Sequence, residues 1–330
     1  MNYKVVVGLV TFNGEKYLPF CLDSLKRQTF RNFCLFVVDN NSQDGSVSFL
    51  RKHYPEAEIV QNKKNLGFSR AYNQIIHWTK SDYILCLNQD VILEPDFLEI
   101  LVSFLDRHPQ VGSLSGKIYR WDFEKNQKTK IIDTVGLKVF RNHRVIDEGQ
   151  GKEDRGEYNQ IKEIFGPSAA VALYRRKALE DIKVDNEYFD EDFFAYKEDV
   201  DLAFRLRIAG WSSFFVPQAI AYHDRTTSQK GDIIKNRSLK SQFANYHSYR
   251  NHLLVILKNE FFSNLILCFP QIFWYEFKKF VYLLIFERKT LKGLVDILKL
   301  LPKVIKKRKI IKQKRKIKAK DLRKWFNSNN

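Results

Sequence analysis

The sequence has little cysteine and no long uninterrupted apolar run, and both absences exclude classes of protein. Its 330 residues contain four cysteines, Cys21, Cys34, Cys86 and Cys268, whose spacing fits neither a disulfide framework nor a zinc site. We expect buried, reduced thiols in a cytoplasmic protein. No stretch of 18 uncharged apolar residues occurs, so we predict no membrane-spanning helix, and the apolar residues 3–10 are too few for a signal peptide.

Two phosphate-binding motifs are also missing. No G-x-G-x-x-G follows the first predicted strand, and no G-x-x-x-x-G-K-[ST] occurs anywhere. Such loops hold dinucleotides and nucleoside triphosphates in many α/β proteins. The sequence therefore lacks the main motif of enzymes that transfer a hydride with a dinucleotide cofactor. It also lacks the main motif of P-loop enzymes that transfer phosphoryl groups.

The net charge of +18 is unevenly distributed along the chain. Residues 303–324 hold thirteen Lys or Arg and one acid, Asp321, which is about two thirds of the excess. The remaining body is only mildly basic. This distribution argues against a nucleic-acid binder that uses its whole surface and favours a local anionic partner.

Strand and helix patterns alternate through the first hundred residues. Predicted strands cover residues 5–10, 33–38, 58–60 and 83–87, with helical patterns between them. This alternation predicts an α/β fold in which helices cover both faces of the sheet.

Polar residues stand where these strands end, and ligands of open α/β sheets bind there. Asn88 and Asp90 follow the fourth strand and project to the same side of an extended chain. This pair suits a hydrated Mg²⁺ or Mn²⁺ that carries a diphosphate, although it also suits a plain capped loop. The first two strands end near Thr11, Asn13 and Asp39. These side chains can form hydrogen bonds with a nucleobase or ribose, and Asp39 is also compatible with a simple turn.

A second group of acids lies farther along the chain. A helix predicted over residues 199–209 ends at Gly210, and acids cluster at its start. Asp201 and Arg205 are four residues apart and can pair along one face. The group is either a well-capped helix or the source of a general base, a carboxylate that takes a proton from a reacting group.

Four ordered motifs resemble the family 2 glycosyltransferases of the GT-A fold, within them the rhamnosyltransferase-like branch that builds bacterial surface polysaccharides. The resemblance covers residues 4–260 and implies a mixed sheet flanked by helices, followed here by a helical amphipathic C-terminal extension. The motifs are Val10-Thr-Phe-Asn13, Val38-Asp-Asn-Asn-Ser-Gln-Asp-Gly-Ser46, Asn65-Leu-Gly-Phe-Ser-Arg-Ala-Tyr-Asn73 and Leu87-Asn-Gln-Asp90.

The resemblance assigns roles to individual residues. It implies Mg²⁺ or Mn²⁺ at Asp90, with Asn88 in place of the first acid of a D-x-D motif, and a metal or diphosphate contact at His223. A lone histidine is otherwise usually structural. Donor-binding residues would be Thr11, Asn13, Asp39, Asn41, Asn65, Gly67, Asn73, Asn88 and Gly166.

The base position of the family corresponds to Asp199, with Glu198 as the second choice. Asp201 and Arg205 would hold the helix in place. Small residues around Gly166 fit a wall for the donor sugar, and they fit tight packing of a helix on the sheet equally well.

The C-terminal part differs from the rest of the chain. We expect a catalytic domain over residues 1–244 and a helical, membrane-associating region with a polybasic tail over residues 245–330. Residues 261–286 are apolar and aromatic, but Pro270 should break them, so they suit the membrane interface rather than a span. The alternative is a helical subdomain with a solvated tail.

These features together predict an inverting glycosyltransferase on the inner face of the cell membrane. The expected donor is a nucleoside-diphosphate sugar, with dTDP-L-rhamnose as the candidate, and the acceptor is a glycan or lipid-linked glycan. An anionic membrane surface is the expected partner, and no nucleic acid is expected. The rivals are a basic adaptor without enzymatic activity and a nucleotidyltransferase, but residues 11–15 lack the basic, glycine-rich loop that the latter would need.

Overall fold

The computed structural model describes residues 3–224 and 241–327, which build a ten-stranded mixed sheet and a three-stranded sheet. The strands β8, β9 and β13 form the smaller sheet. In chain order the strands are β1 (Val5–Thr11), β2 (Phe33–Asp39), β3 (Glu58–Gln61), β4 (Tyr83–Asn88), β5 (Val91–Leu93), β6 (Val111–Asp122), β7 (Gln127–Thr134), β8 (Leu137–Phe140), β9 (Val145–Asp147), β10 (Lys162–Glu163), β11 (Val171–Arg175), β12 (Ser212–His223) and β13 (Phe326–Asn327).

Ten α-helices lie in the described residues, and short 3-10 helices occur at Glu191–Phe193 and Arg288–Leu291. The first three α-helices alternate with strands, as the sequence pattern predicted. The helices are α1 (Leu18–Lys26), α2 (Ser46–His53), α3 (Gly67–Trp78), α4 (Phe97–Arg107), α5 (Arg176–Ile182), α6 (Glu198–Ile208), α7 (Gln242–Asn259), α8 (Phe262–Phe286), α9 (Lys292–Gln313) and α10 (Ala319–Arg323).

The central strand β1 is apolar on both faces, which requires helices on both sides of the sheet. Val5, Val7 and Leu9 belong to a core that includes residues of α1 and α4. Val6 belongs to the opposite core, with residues of α3, α5 and α6. The expectation of an α/β sheet covered on both faces is confirmed.

The strand order brings the predicted polar ends together. The main path through the sheet runs β10-β12-β6-β11-β4-β1-β2-β3, and β1 lies parallel to both β2 and β4. The register pairs Thr11 with Asp39 and Val10 with Asn88. Because β11 is antiparallel to β4, the sheet is mixed rather than wholly parallel.

One local expectation is wrong. Pro270 does not break the aromatic segment, because α8 runs through it for 25 residues and the ring lies on the exposed side of the helix.

The strand β12 has a register shift between Val216 and Ile220 and continues to His223. Pro217 falls at this irregularity, which is where a strand tolerates proline.

The C-terminal helices share a core with the sheet-bearing body. Ile311, Leu322 and Phe326 lie in one apolar cluster with Phe165 and residues of α6. The strand β13 pairs in parallel with β8, so the chain returns to the body near its end. The proposed division at residue 244 falls within α7.

Part of the basic segment is folded against an acidic loop rather than extended as a tail. The Nζ of the buried Lys307 lies 2.8 Å from Glu187 Oε2, 2.6 Å from Asp190 Oδ1 and 2.9 Å from Asp192 Oδ2. Lys258 of α7 pairs with Asp190 as well. Burial alone would raise the pKa of Asp190, but the two ammonium groups outweigh burial and hold that pKa well below its usual range.

The substitution Lys307→Ala should lower the free energy of unfolding by about 3–5 kcal/mol, because it leaves buried carboxylates short of a counter-charge. Lys309→Ala is the matched control, since this neighbouring lysine is exposed. Urea unfolding measures both variants. Equal stability of the two would contradict a structural role for the Lys307 cluster.

Candidate active site

A cleft of about 540 Å³ opens at the carboxyl ends of β1 and β4. The segment 88–90 and the start of α3 line it, together with Phe194 and Phe243. Phe243 belongs to α7, so the C-terminal region contributes to the wall of this cleft.

The ends of β1 and β2 are held by their own hydrogen bonds. Thr11 Oγ1 donates to Gln89 Oε1 at 2.7 Å, and the Ser42 amide donates to Asp39 Oδ2 at 3.1 Å. Asp39 is buried and caps its loop. Asn13 and Asn41 both have positive φ values, 50° and 69°, and form tight bends around this end of the sheet.

The residues of the third motif, 65–73, lie partly at the cleft and partly in the core. Asn65 Oδ1 accepts from the Gly67 amide at 2.8 Å, and both residues line the cleft. Gly67 has a φ of +79°, and a side chain there would come within 2.5 Å of the Phe194 carbonyl oxygen. Asn73 lies in the core instead, where its carboxamide donates to Phe189 O at 2.8 Å.

Gly166 also lies outside the cleft lining. A Cβ at this position would lie 2.4 Å from the Cβ of Ala203 in α6. Of the two readings that the sequence left open, the geometry therefore favours close helix packing over a sugar-binding wall.

Asp90 and His223 meet at the side of the cleft. His223 Nε2 lies 3.4 Å from Asp90 Oδ1, while Nδ1 lies 2.9 Å from Oδ2 of the buried Asp133. Burial alone would lower the pKa of His223, but the two carboxylates outweigh it and raise that pKa to about 10.

The same pair fits a divalent cation that displaces the imidazole proton, since only the neutral ring ligates a metal, and that brings its other ligands with it. Asp90 Oδ1 is buried and accepts no hydrogen bond of normal geometry from the described residues. Asp133 orients the imidazole in the way that outer carboxylates orient metal-binding histidines. No group of three His, Cys, Asp or Glu side chains that could hold a metal occurs in residues 3–224 and 241–327. A diphosphate and water would have to complete the shell, as is usual for Mg²⁺.

The start of α6 presents two carboxyl groups with different surroundings. Burial, then the charge of Asp199, raises the pKa of Glu198 to about 8. Burial and Asp147 raise the pKa of Asp199, while Lys197 and the amides of Val200 and Ala169 oppose the rise. The Val200 amide donates to Asp199 Oδ1 at 2.7 Å. Burial thus raises the pKa of both carboxyl groups, and at Asp199 the amide donors of Val200 and Ala169 favour the carboxylate form.

Asp201 and Arg205 connect α6 to its neighbours. Arg205 Nε lies 2.9 Å from Asp201 Oδ2, and both side chains are buried. Asp201 Oδ1 also accepts from Asn259 of α7 at 2.7 Å. Neither residue lines the cleft, and their bonds fix the helix that carries Asp199.

Sequence reasoning missed Gln89 and Asp133. Gln89 lies between the two residues singled out at the end of β4, and its side chain ties that end to β1. Asp133 lies in an apolar run that gave no functional signal. A carboxylate within an apolar run is expected to be buried, and a buried charge needs a partner, so this position could have been recognised as one that pairs with another group.

The fold is the GT-A fold. Residues 1–349 of S. aureus TarS align with a TM-score of 0.56 at 17% identity, over 98% of this chain and 89% of that one. A mannosyltransferase from Pyrobaculum calidifontis, solved with GDP-Man and Mn²⁺, aligns with a TM-score of 0.52 at 17% identity, over 90% and 74% of the two chains.

The family follows from the sequence itself. The model of Glycosyl transferase family 2 matches residues 6–183, more than half of the chain, so the protein belongs to that family and is a glycosyltransferase. An N-acetylglucosaminyl-diphospho-decaprenol L-rhamnosyltransferase of Mycobacterium tuberculosis is 27% identical over 247 residues, 68% of this chain and 78% of the relative. The rhamnosyltransferase-like character expected from the motifs is confirmed.

Proposed function

We propose that this protein is an inverting transferase that moves a sugar from a nucleoside diphosphate to a hydroxyl group of a glycan or lipid-linked glycan. The observation that carries the proposal is the arrangement around the cleft. The end of β4, with Asn88 and Asp90, lines the cleft, and so does the turn at Phe194 that leads to the carboxyl groups of α6. A basic adaptor would need none of these groups.

Asp199 is the proposed base. It takes the proton of the acceptor hydroxyl as the oxygen attacks the anomeric carbon from the face opposite the diphosphate. The bond between that carbon and the diphosphate oxygen breaks with its electrons on the leaving group, so the configuration inverts without a covalent sugar–enzyme intermediate. Glu198 is the second candidate, because burial and the charge of Asp199 raise its pKa and favour its neutral form.

Asp90 and His223 are the proposed holders of Mg²⁺ or Mn²⁺, with Asn88 beside them. When bound, the cation would neutralise charge on the departing nucleoside diphosphate. Thr11, Asn13, Asp39, Asn41, Asn65 and Gly67 are retained as donor-binding residues because they lie at the strand ends or on the cleft wall. Asn73 and Gly166 are proposed to support these residues from behind rather than to touch the donor.

The donor and acceptor are proposed from the relatives. The M. tuberculosis relative is named as an L-rhamnosyltransferase that acts on a lipid-linked N-acetylglucosaminyl diphosphate. We therefore retain dTDP-L-rhamnose as the candidate donor and a lipid-linked glycan of the cell envelope as the acceptor.

The surface of α8 supports attachment to the inner face of a membrane. Its outward residues follow one another at intervals of three and four, which forms a single apolar stripe. Exposed fractions in the stripe reach 71% at Phe262 and 59% at Phe269, and Trp274 and Phe286 beside it are 58% and 69% exposed. A soluble monomer rarely exposes so large an apolar surface. Members of the stripe are Phe262, Ile266, Phe269, Phe273, Phe277, Phe280 and Leu284.

The inward side of the same helix carries polar residues beside the buried Cys268 and Leu283, so α8 buries polar groups while its apolar stripe is exposed. Glu276 Oε1 lies 2.9 Å from His252 Nε2, and Asn264 Nδ2 donates to Glu260 Oε1 at 3.0 Å. No helix in the described parts of the chain is long and apolar enough to cross a bilayer. The helix is suited to lie in the plane of the interface.

Charge favours an anionic membrane as the partner. Exposed cations stand on α8 and on the link to α9, namely Lys278, Arg288, Lys289 and Lys292. Each adds on the order of 1 kcal/mol near an anionic leaflet. The apolar stripe and the cations together supply the two signals that stable attachment to a membrane needs. Nucleic acid is not a proposed partner, because a large aromatic stripe has no role on a phosphate backbone.

Asp199→Asn should reduce the transfer rate by about 10²–10⁴, because the hydroxyl proton loses its acceptor. Binding of the donor should change little. Glu198→Gln is the matched control and should retain more of the rate, since the raised pKa of Glu198 favours its neutral form. Product formation from a sugar nucleotide and glycan acceptor measures both. A larger loss for Glu198→Gln would transfer the role of base to Glu198.

Asp90→Ala should abolish the part of donor binding that depends on Mg²⁺ or Mn²⁺, whereas Asn88→Asp should preserve or strengthen it. The reason is that Asp90 is the carboxylate proposed to touch the cation. Calorimetric titration of a nucleoside diphosphate with and without EDTA measures the effect. Binding and transfer that are indifferent to EDTA in the wild-type protein would rule out the metal.

The triple substitution of Phe273, Trp274 and Phe277 by serine should abolish flotation with vesicles that contain an anionic phospholipid. The matched control replaces Trp78 and Ile161, which are 55% and 47% exposed elsewhere on the body. Neutral vesicles should bind the wild-type protein more weakly. Self-association in analytical ultracentrifugation without vesicle binding would show instead that a second copy covers the stripe.

A further inference from the structure

The segment between the acidic loop and α6 has an unusual backbone. Phe194, Tyr196 and Lys197 have φ values of 62°, 68° and 70°, in the region that favours glycine. At Phe194 the chain makes a γ-turn, because ψ is −64° and the Ala195 amide donates to Phe193 O at 2.7 Å. Turns of this kind are rare and strained, so surrounding contacts must hold them.

This turn touches both halves of the site. The Phe194 carbonyl accepts from the Phe68 amide at 2.7 Å, at the first turn of α3 and next to the glycine that lines the cleft. The Phe194 ring lines the cleft itself. Immediately after the turn, α6 begins with Glu198 and Asp199. A shift of the turn would therefore move the donor wall and the proposed base together.

One side chain of α7 holds the turn. Asn251 is fully buried, and its Nδ2 lies 2.9 Å from Phe193 O, 2.9 Å from Ala195 O and 2.7 Å from Tyr196 O. Arg250 Nη2 donates to Asp192 O at 2.6 Å and supports the chain just before the turn. Loss of the Asn251 carboxamide would leave these carbonyl groups short of a donor in a buried place, which is costly.

We infer that Asn251 is a positioning residue for sugar transfer, and that α7 thereby forms part of the catalytic unit. The inference rests on the proposed function of Asp199. The carboxamide fixes a strained turn whose relaxed form would carry Asp199 away from the acceptor and Phe194 away from α3. Displacement of a catalytic group by about 1 Å can cost on the order of 100-fold in rate.

A purely structural role for Asn251 predicts something different. In that case its loss would lower stability, while the folded fraction would turn over normally. Asn264 of α8 offers the matched comparison, because it is also fully buried and donates through Nδ2 to Glu260 Oε1 and Ala319 O, at 3.0 Å each. Its bonds do not reach the turn.

The experiment compares Asn251→Ala with Asn264→Ala in the full-length protein. We expect kcat to fall about 10- to 100-fold in Asn251→Ala, with a smaller change in KM for the donor, and to remain within about twofold in Asn264→Ala. Hydrogen exchange of the segment 193–197 should accelerate only in Asn251→Ala. If Asn251→Ala does not fold, Asn251→Ser takes its place, since serine retains one donor.

A second substitution tests the strain directly. Tyr196→Gly added to Asn251→Ala lowers the cost of the positive φ value at that position. It should restore part of the lost kcat, whereas a general loss of stability would not respond in this way. Tyr196→Gly added to Asn264→Ala should leave kcat unchanged.

The outcomes separate this inference from the proposed function. A wild-type protein without transfer activity contradicts the proposed function, and hydrogen exchange still measures how Asn251 holds the turn. With an active wild type, equal kcat in the two alanine variants overturns the inference. Unchanged exchange over residues 193–197, or no recovery with Tyr196→Gly, overturns it as well.

Discussion

The compensation of buried carboxylates by two lysines underlies much of this structure. Asp190 and Asp201 lie in the core with Lys258 of α7, and Lys307 of α9 reaches Asp190 from the other side. Removing charges from water is costly unless each has a close partner. The C-terminal helices are thus tied to the loop and helix that carry the acidic residues, and neither part satisfies its charges alone.

This arrangement gives the C-terminal region two surfaces with different tasks. Inward, α7 and α9 supply cations and amides to the segment 187–201, and Phe243 adds to the cleft wall. Outward, α8 exposes an aromatic stripe. Water-exposed apolar surface is costly, so the stripe favours an apolar cover, which the proposed membrane interface would supply.

The site itself combines three parts of the fold. Parallel pairing of β1 with β2 and β4 aligns the polar strand ends, which is why ligands of such sheets gather there. The strand β12 carries His223 back to Asp90 and Asp133. The strained turn at residues 194–197 joins this region to α6, at a cost of about 1–3 kcal/mol for each unfavourable backbone position.

Local patterns determined the elements of this fold. Period-two and period-3.6 runs located the first four strands and their helices, since each buries a face that its own spacing defines. The ordered motifs at the strand ends identified the family, and the acids near Asp199 marked the start of a helix. These features are set by residues that lie close together in the chain, so a single sequence is enough to find them.

Contacts between distant segments decided the rest. The partnership of His223 with Asp133 spans 90 residues, and that of Lys307 with Asp190 spans 117. The pattern near Gly166 fits a sugar wall or a packing contact equally, and only the position of Ala203 in space separates the two. Likewise, a basic run predicts a solvated tail until the tertiary structure shows which lysines are buried. The sequence by itself determined which chemistry the chain can provide, and the folded chain decided which of those groups meet, because pairing over such separations depends on packing and not on spacing.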